Sequence, residues 1–110
     1  MRTLIVPGLN GSGPGHWQTL WEEKYFFERV EQRDWEVPDL AEWIDTLNAA
    51  IITSSERTVL VAHSLGCLVV AHWAHSYLEN TNQIQCAFLV APPDVELSPY
   101  IPKYLRRFTT

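Results

Sequence analysis

Nowhere in the 110 residues do about 18 apolar side chains follow one another, the length a helix needs to cross a bilayer, so no membrane span is expected. The N-terminal MRTLIVPGLNGSG has only the short apolar run ending at Val6 before Pro7, too little for a signal peptide, and a cytoplasmic location is the default expectation. Cations are few: 8 Lys and Arg stand against 13 Asp and Glu, a net charge of -5, which supplies no field to attract nucleic acid or an anionic lipid surface. The local exception, Lys103 with Arg106 and Arg107, is too small for a phosphate-tracking patch and reads as a solvated tail. Cysteine is scarce as well. Cys67 and Cys86 fall in segments that read as buried helix and strand, with no CxxC and no Cys/His ligand spacing, so neither a disulfide framework nor a metal site is expected. The glycine-containing stretch after the first apolar run has neither a GxGxxG register nor a GK[ST] ending, which disfavours a nucleotide and leaves no cofactor expected.

What is present is a globular composition. With 46% hydrophobic and 19% charged residues the chain has enough apolar surface to build one core, and its length allows one domain, residues 1–110. Thr3 to Val6, Thr58 to Ala62 and Ala87 to Ala91 are apolar on both faces, as strands buried in a parallel sheet are. Arg29 to Asp34 is polar enough for an edge strand or an extended connection. Between them, Leu40, Trp43, Ile44, Leu47 and Ile51 recur at helical spacing after Asp39, which with Glu42 resembles a capping box. Leu65 to Leu78 is apolar nearly all round, which suits a helix covered on several sides. Strand and helix alternate, so the expected class is α/β: a partial α/β-hydrolase-type fold, a mostly parallel sheet of about four strands with helices on both faces. Prolines 92, 93, 99 and 102 then break regular structure, making 92–110 a Pro-rich tail. One sheet edge should be left open there, which makes a homodimer through that edge an alternative to catalysis.

Val61-Ala62-His63-Ser64-Leu65-Gly66 runs from a buried strand into a helix. A serine on such a turn is presented at the strand end, provided the residues two before and two after are small, as Ala62 and Gly66 are. Ser64 is therefore the candidate nucleophile; the plainer reading makes it only the N-cap of the helix. The Leu65 N–H, at the positive end of that helix, is one expected oxyanion donor. The second is expected from the loop after the first strand, at Leu9 or Asn10. His16 is on that same loop and is a possible substitute base, although a structural hydrogen bond suits it better. His63 should point away from the turn and pack on neighbouring structure. His72 and His75 lie on the helix after Ser64, with His72 about 12 Å along its axis at ~1.5 Å per residue, beyond reach of the hydroxyl. Trp17, Trp21, Trp43 and Trp73 read as core or helix-packing residues, and Cys67 as a small core residue.

The blocks VPGLNGSGPGHWQTLWE, QRDWEVPDLAEWIDTL, VAHSLGCLVVAHWA and FLVAPPDVE, in this order, resemble the small serine hydrolases related to retinoblastoma-binding protein nine, over residues 3–96. The resemblance implies a lidless α/β-hydrolase acting on a small-molecule ester or amide without a cofactor, with Ser64 as nucleophile and Leu65 at the oxyanion hole. It also implies an Asp and then a His after the nucleophile. The positions following Ser64 supply neither: Asp94 follows the last strand but has no histidine to orient. The expectation is thus a C-terminally truncated hydrolase, weak or inactive as this chain alone.

Overall fold

The computed structural model describes residues 1–8, 11 and 13–90. In chain order it has β1 (Arg2–Val6), α1 (Trp17–Tyr25), β2 (Glu28–Arg29), α2 (Leu40–Ile52), β3 (Thr58–His63), α3 (Leu65–Ser76), a 3-10 helix (Leu78–Gln83) and β4 (Ile84–Val90). The expected alternation is therefore present, and the four strands form one sheet in the order β2-β1-β3-β4. All three pairings are parallel.

The strand order sets where a site can form. The chain leaves β1 toward β2 on one side, whereas β3 and β4 lie on the other. Connections running in opposite directions across a parallel sheet lie on opposite faces when each is right-handed, so α1 covers one face and α2 and α3 the other. The loops leaving the C-terminal ends of β1 and β3 diverge, and this switch point is where open α/β sheets form their crevice.

The apolar pattern of each element explains its packing. β1 buries Leu4, Ile5 and Val6, β3 buries Leu60, Val61 and Ala62, and the α2 stripe of Trp43, Ile44, Leu47 and Ile51 is buried as its spacing requires. Val69, Val70 and Trp73 of α3 complete the cluster against α2 and the sheet. Asp39 caps α2 by accepting from the Glu42 N–H at 3.0 Å, but the capping box does not close. The Glu42 carboxylate instead accepts from Nε and Nη2 of Arg33, at 2.9 Å each, because a charged bidentate partner outcompetes a backbone amide. The other end of α2 is closed by a buried cation. Arg2 is 8% exposed and donates to Ala50 O at 3.0 Å and Ile51 O at 2.7 Å, where the carbonyls at the end of the helix favour positive charge.

β4 departs from its expected burial. It starts at Ile84, three residues before the apolar run that suggested it, and residues 85–90 are exposed, Phe88 by 58%. β3 is its one neighbour in the described sheet, and unlike β1 and β3 it has side chains exposed on both faces. Cys86 is for the same reason exposed rather than buried, while Cys67 is buried as expected. The Pro-rich segment 92–110 lies outside the described residues. Among the described residues no helix is long and apolar enough to cross a membrane.

Candidate active site

Ser64 occupies the single residue between the end of β3 and the start of α3. Its backbone is at φ 54, ψ -124, one of two non-glycine residues with positive φ among those described. Such a conformation costs an L residue about 1–3 kcal/mol and persists only where the surroundings impose it. Those surroundings are visible: the Ser64 N–H donates to Val90 O at 3.0 Å, and Ser64 O accepts from the Cys67 N–H at 2.9 Å. The plainer reading of this serine as a helix cap is not met, since its side chain makes no capping hydrogen bond to α3.

Two glycines let the backbone close around this turn. A Cβ on Gly66 would lie 2.3 Å from Val6 O and 2.8 Å from Pro7 O, so α3 can rest on the end of β1 only because position 66 has no side chain. A Cβ on Gly8 would lie 3.0 Å from Leu65 N and 3.3 Å from Ser64 Cβ, which puts the start of the first loop directly against the serine turn. The loop and the Leu65 amide are thus neighbours, the arrangement an anion-stabilising pocket requires. Leu9 and Asn10, the expected second donors, lie outside the described residues.

His16 is the N-cap of α1: its Nδ1 accepts from the Gln18 N–H at 3.1 Å, the structural bond expected of it. As an acceptor, Nδ1 carries no proton, and the neutral ring holds its proton on Nε2. The His16 ring meets that of His63 at 4.5 Å between centroids, edge to face, and Trp17 meets His63 at 5.8 Å and Trp21 at 5.0 Å. The four tryptophans divide between the two roles expected of them, core and helix packing. Trp43 and Trp73 are in the core, at 1% exposure each, but Trp21 is 43% exposed and Trp17 half-buried beside His63. Helix α1 opens beside the end of β3, with the Trp17 ring against His63.

Gln18 was not recognised from the sequence. It is fully buried, and its side-chain amide donates to Val61 O at 2.9 Å and to Val6 O at 3.4 Å, stapling α1 across β1 and β3 beside the serine turn. Its position immediately after Gly15-His16-Trp17 was the available signal. His72 and His75 are on α3, which leads away from Ser64, and Asp94 lies outside the described residues.

Burial pushes the Cys67 thiol up, so the sulfur three residues from Ser64 stays protonated, donates toward Val90 O at 3.5 Å and does not compete as a nucleophile. The His63 ring is pulled below its ordinary value of 6.5, first by burial and then by charge on His16. The unfolded chain therefore takes up this proton first as pH falls. Stability from the neutral ring is full above about pH 6.5 and declines below it. Urea midpoints measured from about pH 8 to pH 5 should fall more for the wild type than for His63→Gln, and parallel curves would disprove the linkage. Among the described residues no group of three or more His, Cys, Asp or Glu is placed to hold a metal ion.

Comparison with known proteins identifies relatives of the same fold. The YdeN protein of Bacillus subtilis strain 168 is 29% identical over 95 residues, covering 82% of this chain and 50% of its own. The crystal structure of a YdeN-like protein from Pectobacterium atrosepticum superposes with a TM-score of 0.77 at 30% identity, over 92% of this chain and 55% of that one. The crystal structure of the B. subtilis ydeN product, at 24% identity, shares the fold with a TM-score of 0.71, over 99% of this chain and 60% of that one. The chain thus spans half to three fifths of the length of these relatives. The family model described as serine hydrolase matches residues 3–110, and with a serine held at the end of β3 in a parallel α/β sheet, the chain belongs to the serine hydrolase family.

Proposed function

We propose that Ser64 is the nucleophile of a hydrolase that cleaves a small carboxylic ester or amide through an acyl-serine intermediate. The observation that carries this reading is the Ser64 backbone at φ 54, held between β3 and α3 with the side chain not spent on a helix cap. In the first step the Ser64 hydroxyl loses its proton and its oxygen bonds to the carbonyl carbon, while the C=O electron pair moves onto oxygen. The Leu65 N–H faces that oxyanion, with the amide of Leu9 or Asn10 as the second donor. Collapse expels the alcohol or amine, which takes up the proton. Water then adds to the acyl carbon and releases the acid, restoring Ser64.

The reading extends the family assignment toward the small, lidless hydrolases related to retinoblastoma-binding protein nine, in which an Asp and a His follow the nucleophile. His16 is a poor substitute for that histidine. To accept a proton on Nε2 its neutral ring must carry the other proton on Nδ1, which gives up the cap on Gln18. This chain by itself is therefore expected to react slowly. A fluorophosphonate probe should label the chain at a low rate, and Ser64→Ala should abolish that labelling.

The exposed β4 favours a second reading, an interaction protein that pairs through this edge with a second copy. No Ser64-dependent labelling, together with a dimer dispersed by Phe88→Lys in sedimentation experiments, would replace the enzymatic reading with this one.

A further inference from the structure

We propose that Arg29 is a positioning residue that holds the far end of the turn between Gly8 and Gly11, and through it sets the oxyanion side of the serine site. The proposal rests on the reading of Ser64 as nucleophile. Arg29 ends β2, the strand on the other side of β1 from β3, and is only 12% exposed. Its guanidinium divides its donors between helix α1 and the turn that follows β1. One arm donates to Gly11 O, the Nε donates to the Glu22 carboxylate at 2.7 Å, and the other arm donates to Thr19 Oγ1 at 2.7 Å.

Gly11 is fixed from a second side. Its φ is +73, and a Cβ there would lie 2.9 to 3.1 Å from three ring atoms of Trp35, so its backbone rests on the face of that indole. Trp35 is in turn anchored in the core, its ring 5.5 Å from that of Trp43. The Gly11 N–H donates to Gly8 O at 3.1 Å, closing the turn, and Gly8 abuts Leu65 N and Ser64 Cβ. A continuous series of contacts thus leads from Glu22 and Thr19 on α1, through Arg29 and Gly11, to Gly8 and the serine. The planar guanidinium suits this place because its donors leave in fixed, divergent directions, whereas a lysine ammonium has no such fork. Holding Gly11 holds Gly8 through their hydrogen bond, and because Gly8 abuts Leu65 N, a shift of a fraction of an ångström there displaces a donor and weakens its hold on an oxyanion.

Hydrogen exchange and probe labelling of the 110-residue chain test the proposal. In Arg29→Met, amides of the peptide covering residues 8–13 should exchange at least tenfold faster, while the β3–α3 peptide around Ser64 keeps its protection. Fluorophosphonate labelling of Ser64 should drop about tenfold, a loss that Arg29→Lys restores only in part. Glu22→Gln, which keeps an acceptor for the Nε and removes only charge, should show a smaller change in the same direction and serves where Arg29→Met does not fold. Unchanged exchange at residues 8–13 in folded Arg29→Met and Glu22→Gln overturns the clamp, whatever the labelling does. Faster exchange there with labelling at the wild-type rate overturns the link to the site. A wild type that does not label at Ser64 refutes the nucleophile reading and with it the catalytic part of the proposal, while exchange still decides the clamp.

Discussion

Gly66→Ala is expected to lower stability by about 3 kcal/mol or more and to remove Ser64 labelling from whatever fraction remains folded. The added methyl would be placed 2.3 Å from Val6 O and 2.8 Å from Pro7 O, and both oxygens belong to backbone that cannot rotate aside. Relief requires α3 to lift from the end of β1. That movement pulls on Ser64, whose N–H is held by Val90 O and whose carbonyl accepts from Cys67 N–H. Because total stabilities of such domains are about 5–15 kcal/mol, the loss is large enough to read directly as a shift in the urea midpoint. A substitution that left both the midpoint and the labelling rate at wild-type values would show that the serine turn does not depend on this close approach.

Trp73→Ala is expected to cost about 3–5 kcal/mol, the range for removing a fully buried aromatic side chain. Trp73 is 1% exposed, in the layer where α3 packs on α2. Its loss also removes a polar link: the indole N–H donates to Asn48 Oδ1 at 3.0 Å, and the same oxygen accepts from Asn80 Nδ2 at 2.9 Å. Trp73→Phe keeps most of the volume and gives up the donor, so it should cost roughly 1–3 kcal/mol, leaving Asn48 with the Asn80 partner. Calorimetric or urea unfolding of the two variants should therefore separate clearly, with alanine the lower. Equal losses would assign the whole effect to the hydrogen bond and none to the cavity.

Both residues stand in segments whose type was legible in advance. The apolar runs of β1 and β3, the α2 stripe at helical spacing and the all-round apolar α3 are each local patterns, and a local pattern survives whatever the rest of the chain does. The serine turn was legible for the same reason: Ala62, Ser64 and Gly66 are close in sequence, and their steric demands are local. The capping box was misread because Arg33 is not on α2 and competes for Glu42. β4 was misread because an apolar run says what a strand would bury, not whether a neighbour exists to bury it.

By itself, then, the sequence determined the alternation of strands and helices, the serine between β3 and α3, and the family these imply. Only the tertiary structure decided which distant groups meet at that serine. Gly8 against Leu65 N, Gln18 bridging Val6 and Val61, His16 on His63, and Arg29 reaching back to Gly11 join positions that no periodicity relates. They come together because parallel crossovers return each loop to the same end of the sheet, and the strand order β2-β1-β3-β4 places those loops side by side.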